Sequence, residues 1–319
     1  MKRILFLTVC LFIVNFCAWG DTVTKVYLSH NGKLTQYKWT DWQTVLNDAV
    51  AGDTIFLTEG TFNGDITIDK PVTIIGAGVG NTGNSWMDGY WKDLKVSGQG
   101  TFLFGNITID IPESVSLEAS LLENVRVRNI FVNESVDGLI IKKCFIDGEF
   151  KADALTTNVT FINCYTYEFY CQNLENANIY NCLFDWFYGN SAVLADTFSI
   201  LNTIVIELKD AHNFSFVNSG FCDFPDSNSN SFDHCICRVL DSNQNAYNNC
   251  YYAWEVQNMS KEEILSNGWL GVDGTAIGYL GGYYPFTLKP SQPYVSESSL
   301  SVSEDAKTLN VTLKVSSGQ

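Results

Sequence analysis

Only three histidines occur in the 319 residues, His30, His212 and His234, and no C-x-x-C pair is present. A structural zinc site therefore has little to build on. Basic residues are also scarce: 19 Lys and Arg stand against 35 Asp and Glu, a formal net charge of −16. Such a surface repels nucleic acid and anionic membranes, and an acidic polysaccharide could approach it only through a local basic patch or a bridging cation. The one long apolar run, residues 4–16, is short for a membrane span, and no second one follows.

That run follows Lys2 and Arg3 and precedes Ala18, Trp19 and Gly20, the layout of a signal peptide cleaved after Gly20. The expectation is an exported protein, secreted, periplasmic or at the cell surface. Removing residues 1–20 takes away two basic residues and no acid, so the net charge moves from −16 to −18. Eight cysteines remain: Cys144, Cys164, Cys171, Cys182, Cys222, Cys235, Cys237 and Cys250. An even count in an exported chain permits disulfides without dictating them.

What the chain does have is a repeat. The segments GLIIKKC, NVTFINC, NANIYNC, TFSILNT, NFSFVNS, SNSFDHC and NAYNNC end at residues 144, 164, 182, 203, 219, 235 and 250, and LLENV at Val125 extends the series upstream. Three residues before each end stands an apolar side chain: Ile141, Phe161, Ile179, Ile200, Phe216, Phe232 or Tyr247. Alternate strand positions share a face, so this column points inward with Leu139, Val159, Ala177, Phe198 and Phe214. The penultimate residue is often Asn, which tolerates the left-handed backbone region and suits a sharp bend. A small residue then opens the next strand. Units of 15 to 21 residues are too short for a strand-helix-strand crossover of about 30 residues. They fit one coil of a parallel β-helix, stacked at about 4.8 Å.

Open ends of such a stack invite edge pairing, so a cap is expected. Residues 40–50 supply an amphipathic helix, with capping-box spacing at Thr40 and Gln43 and an apolar stripe of Trp42, Val45, Leu46, Ala49 and Val50. After Pro290, two alternating runs around SEDAK predict a terminal hairpin or tail over residues 290–319.

The helix followed by AGDTIFLTEGTF and KPVTIIGAG, within residues 40–78, resembles the amino-terminal coils of the right-handed parallel β-helix proteins called pectin-lyase-like. GVDGTAIGYLGGYYPF, residues 271–286, looks like the closing element of many secreted bacterial members. The resemblance implies an all-β, single right-handed parallel β-helix over residues 21–289, with an amino-terminal helix cap and a short carboxy-terminal β segment. Its lyases, hydrolases and adhesins share a fold without sharing an activity. The polygalacturonase motifs N-T-D, D-D, G-H-G and R-I-K are missing, as is the lyase signature R-x-P-x-x-R.

Function in this fold belongs on outward positions past each bend. There the repeat stacks Tyr167 and Glu168, Asp185 and Trp186, Glu207, Asp223, Arg238 and Trp254 into a strip of acids and rings. Ring faces cover apolar sugar C–H surface while carboxylates accept hydroxyl hydrogen bonds. The leading expectation is a glycan- or polysaccharide-binding protein, monomeric, with Tyr167, Glu168, Trp186 and Trp254 holding the ligand and no cofactor. The catalytic alternative, a lyase or glycoside hydrolase, draws on Asp185, Glu207, Asp223 and Arg238, with calcium if it is a lyase. A structural or adhesive rod is the third reading. GVGNTG, residues 78–83, has dinucleotide-loop spacing, but NSWMDGYW after it is not helical in pattern and points to a plain loop. The column at Cys164 and Cys182 is read as a buried thiol ladder in preference to disulfides.

Overall fold

A computed structural model describes residues 24–79, 100–111, 121–189, 197–223, 227–238, 240, 244–288, 294–302 and 309–316. The proposed signal peptide and most of GVGNTG lie outside these residues. Residues Thr24–Leu288 form one compact unit. In another unit, Tyr294–Val302 pairs antiparallel with Leu309–Ser316.

The larger unit is a parallel β-solenoid. Its first sheet has twelve strands, from Lys33–Lys38 at one end to Ala246–Asn248 at the other, and its second has eleven. A third, short sheet joins Val136–Asp137, Thr156–Thr157 and Leu174–Glu175. The inward column is registered as the repeat predicts: Leu122, Ile141, Phe161, Ile179, Ile200, Phe216, Phe232 and Tyr247 pair in succession. Their rings pack face to face, Phe216 on Phe232 at 5.5 Å and Phe232 on Tyr247 at 5.3 Å between centroids.

The bend column is left-handed throughout. Asn124, Lys143, Asn163, Asn181, Asn202, Asn218, His234 and Asn249 all have φ between 49° and 58°. The residue after the bend is small for a further reason. Cys144, Cys164, Cys182, Cys235 and Cys250 each donate from Sγ to the carbonyl two residues earlier, at 3.3 to 3.4 Å. Thr203 and Ser219 make the same bond from their hydroxyls, at 3.1 and 2.9 Å. At these seven positions a short donor fits the buried corner, and thiol and hydroxyl both serve; Val125, after the Asn124 bend, fills the same corner without a donor. All eight cysteines are free thiols.

The amino-terminal end differs in detail from expectation. The helix Trp42–Asp48 buries Trp42, Val45 and Leu46 in the solenoid core, with Trp42 5.9 Å from the Phe62 ring. No capping box forms. Asp41 is the N-cap and makes no side-chain cap bond, Gln43 donates instead to Asn47, and Val50 is exposed. The first sheet itself ends in an antiparallel hairpin, Lys25–His30 with Lys33–Lys38, turning at Asn31 and Gly32, both with positive φ. Asn-Gly is the strongest short-range hairpin signal and matches the twist of the flanking strands.

At the other end the chain folds back along the bend column. Asn181 Nδ2 donates to the carbonyls of Tyr279 and Gly281 at 2.9 and 2.7 Å, Val272 N donates to Asn218 Oδ1 at 2.8 Å, and Gly278 N donates to Asn218 O at 2.7 Å. A Cβ on Gly282 would collide with the Asn202 amide, so glycine permits this close approach. The returning segment places Ala276, Ile277, Tyr279, Phe286 and Leu288 over Tyr165, Leu183, Ile204 and Ile236, a second apolar cluster on the outer side of the sheet.

Candidate functional site

That second cluster sets the boundary of the open surface. Tyr165, Leu183, Ile204 and Ile236, the first outward residues after their bends, lie beneath the returning segment. The surface further along the same strands carries the predicted strip. Glu168 pairs with Trp186, Trp186 with Glu207, and Glu207 with Asp223 on successive coils. Two residues on, Tyr170, Tyr188 and Lys209 form a parallel row. Between the rows Phe169, Phe187 and Leu208 turn into the core, which fixes both rows outward.

The strip is a linked network. Tyr170 and Tyr188 stack at 4.4 Å with planes 4° apart, and Tyr170 Oη donates to Glu168 Oε2 at 2.6 Å. Burial and that carboxylate raise the Tyr170 phenol above its ordinary value. Tyr167 tilts against Trp186 at 5.1 Å. Lys209 Nζ lies 4.0 Å over the Trp186 ring and 3.4 Å from Glu207 Oε2, so one indole face already has a cation upon it. Further along, Arg238 pairs with Asp223 at 3.3 Å and places its guanidinium 4.4 Å over Trp254, which is 61% exposed.

Tyr167, Glu168, Trp186 and Glu207 lie together on neighbouring coils, and Asp223, in register with Glu207, continues the row to Arg238 and Trp254. Asp185 is not part of this exposed row. It is only 3% exposed, accepts a hydrogen bond from Tyr165 Oη at 3.0 Å, and has no partner for Oδ1. Burial pushes its carboxyl up to about 6 against the opposing pull of Tyr165. Lys209 was missed by the sequence reading, although it follows Glu207 at the same two-residue interval that relates Trp186 to Tyr188. Tyr283 and Tyr284, also missed, are exposed at 92% and 55% on the returning segment.

Among the described residues no group of three or more His, Cys, Asp or Glu side chains is placed to hold a metal ion. No helix among them is long and apolar enough to cross a membrane. Comparison with protein-family models, with curated proteins and with solved structures finds no match for this chain.

Proposed function

We propose that this protein is exported and holds a polysaccharide or glycan chain along the outer face of its second sheet, without chemistry on it. One observation carries the reading: Glu168, Trp186, Glu207 and Asp223 stand in strict register, so rings and carboxylates recur coil by coil as a linear ligand requires. Ring faces and half-buried carboxylates suit sugar C–H and hydroxyl groups together. Lys209 and Arg238 offset two of the acids locally, which suits a neutral chain better than a strongly anionic one. The reading takes the solenoid as right-handed, the hand that parallel crossovers favour. Its kinship to pectin-lyase-like proteins rests on the pattern of residues 40–78. A hydrolase or lyase has less support, because Asp185 is shut away from solvent and Glu207 and Asp223 are each engaged by a cation.

The test is a panel of neutral and acidic polysaccharides, with and without calcium, reading retardation and product formation together. Retardation without products is expected. Trp254→Ala should weaken it about 10-fold, or ~1.4 kcal/mol, and Trp254→Phe should retain most of it. If no polysaccharide retards the protein, or if Trp186→Ala and Trp254→Ala both bind as the wild type does, the binding reading fails. New reducing ends or unsaturated products would replace it with the catalytic one.

A further inference from the structure

Three thiols meet at the carboxy-terminal end of the solenoid. Cys235 and Cys237 sit on one coil, two residues apart, and both are fully buried. Cys250 takes, on the last coil, the column position that Cys235 takes on the coil before. Tyr251 N donates to Cys235 O at 2.8 Å, and the two sulfurs donate to the carbonyls of Phe216 and Phe232, which are themselves registered neighbours. Cys235 and Cys237 both belong to the core cluster against which Cys250 packs. Neighbours on adjacent coils stand about 4.8 Å apart, inside the Cα range of roughly 4.4–6.8 Å that a disulfide accepts.

A comparable trio occupies the middle of the stack. Cys144, Cys164 and Cys182 take the same column position on three successive coils, but all three are fully buried, with further coils on either side. Cys250 is only partly buried. No strand follows Ala246–Asn248 in the first sheet or Tyr251–Tyr252 in the second among the described residues. Oxidation of a thiol depends on access as well as on a partner, and only the terminal trio offers both.

We propose that Cys250 is a redox-reactive thiol that closes a disulfide with Cys235 or Cys237 and staples the last coil to the one before it. The oxidant is a disulfide, small or protein-borne. Cys250, as thiolate, attacks one of its sulfurs, forming a mixed disulfide and releasing one thiol. The neighbouring protein sulfur then attacks Cys250 Sγ, and its proton leaves with the second thiol. Two protein thiols are oxidised and one oxidant disulfide is reduced to two thiols. The crosslink holds the final coil against fraying.

Incubation of the full chain with oxidised glutathione, acid quenching, alkylation under denaturing conditions and peptide mass mapping would test this. The expected result is one crosslink between the Cys250 peptide and the peptide carrying Cys235 and Cys237, with Cys144, Cys164 and Cys182 alkylated. Cys250→Ser should abolish it, and Cys235→Ser compared with Cys237→Ser names the partner. Native proteolysis around residues 244–252 should slow about 10-fold on oxidation of the wild type and not at all in Cys250→Ser. Recovery of Cys250 as a free thiol, or only as a glutathione adduct, would overturn the proposal even if the variants fail to fold. A crosslink that leaves proteolysis unchanged would overturn the stapling role.

Discussion

Asp185 is a buried carboxyl on the sheet's outer face, with one oxygen bonded to Tyr165 and the other without a hydrogen-bond partner among the described residues. Its folded-state value of about 6 lies above the ordinary 3.8, so the folded protein binds its proton more tightly than the unfolded chain does. Stability from this group is fully present below 3.8 and is lost as the pH rises through about 6. The difference corresponds to about 3 kcal/mol. Asp185→Asn removes the titration. The variant's melting temperature should therefore gain on the wild type between pH 4 and 6.5 and hold a constant lead above that range, and an equal difference at pH 4.5 and 7 would show that Asp185 does not titrate there. The bend residues were more legible than this acid. Asn recurs because it enters the left-handed region at small cost, but Lys143 and His234 fill the same bend against that preference, and only the stacking of coils shows why they must.

At the scale of elements, the returning segment depends on side chains from the bend column. Asn181 satisfies two of its carbonyls. Asn181→Ala should destabilise the protein by about 2 kcal/mol, combining unsatisfied carbonyls with a left-handed alanine. Asn181→Gly keeps the backbone and loses only the bonds, so denaturant melts of the two variants separate the terms; equal stability of Asn181→Ala and wild type would mean that the segment is not held there. The sequence pattern placed residues 271–286 as a closing element, but it could not show which coils they cover. That contact joins residues about a hundred positions apart. The amino-terminal hairpin is legible in Asn31-Gly32, a dipeptide whose left-handed preference suits a two-residue turn between strands.

Across the whole solenoid the two ends are unlike. The first sheet starts with an exposed strand bearing Lys33 and Lys38, charges of the kind that block edge-to-edge pairing. It finishes at Ala246–Asn248, an uncharged strand. Replacing both lysines, Lys33→Thr with Lys38→Thr, should leave the fold intact and promote concentration-dependent self-association, measured by sedimentation velocity. An unchanged sedimentation coefficient from micromolar to millimolar protein would show that the hairpin's charges do not guard the edge.

The sequence by itself determined the solenoid, its coil lengths, its inward column and its bends, because each of these is a local rule repeated every 15 to 21 residues and a repeated rule survives without knowledge of distant contacts. It also brought Glu168, Trp186, Glu207 and Asp223 into one row, since register follows from counting. Only the tertiary structure decided that Asp185 is sealed while Trp254 stands open, and that Lys209 covers one face of Trp186. Burial and ring occupancy depend on what another coil or the returning segment lays over a position, and a one-dimensional period carries no record of that.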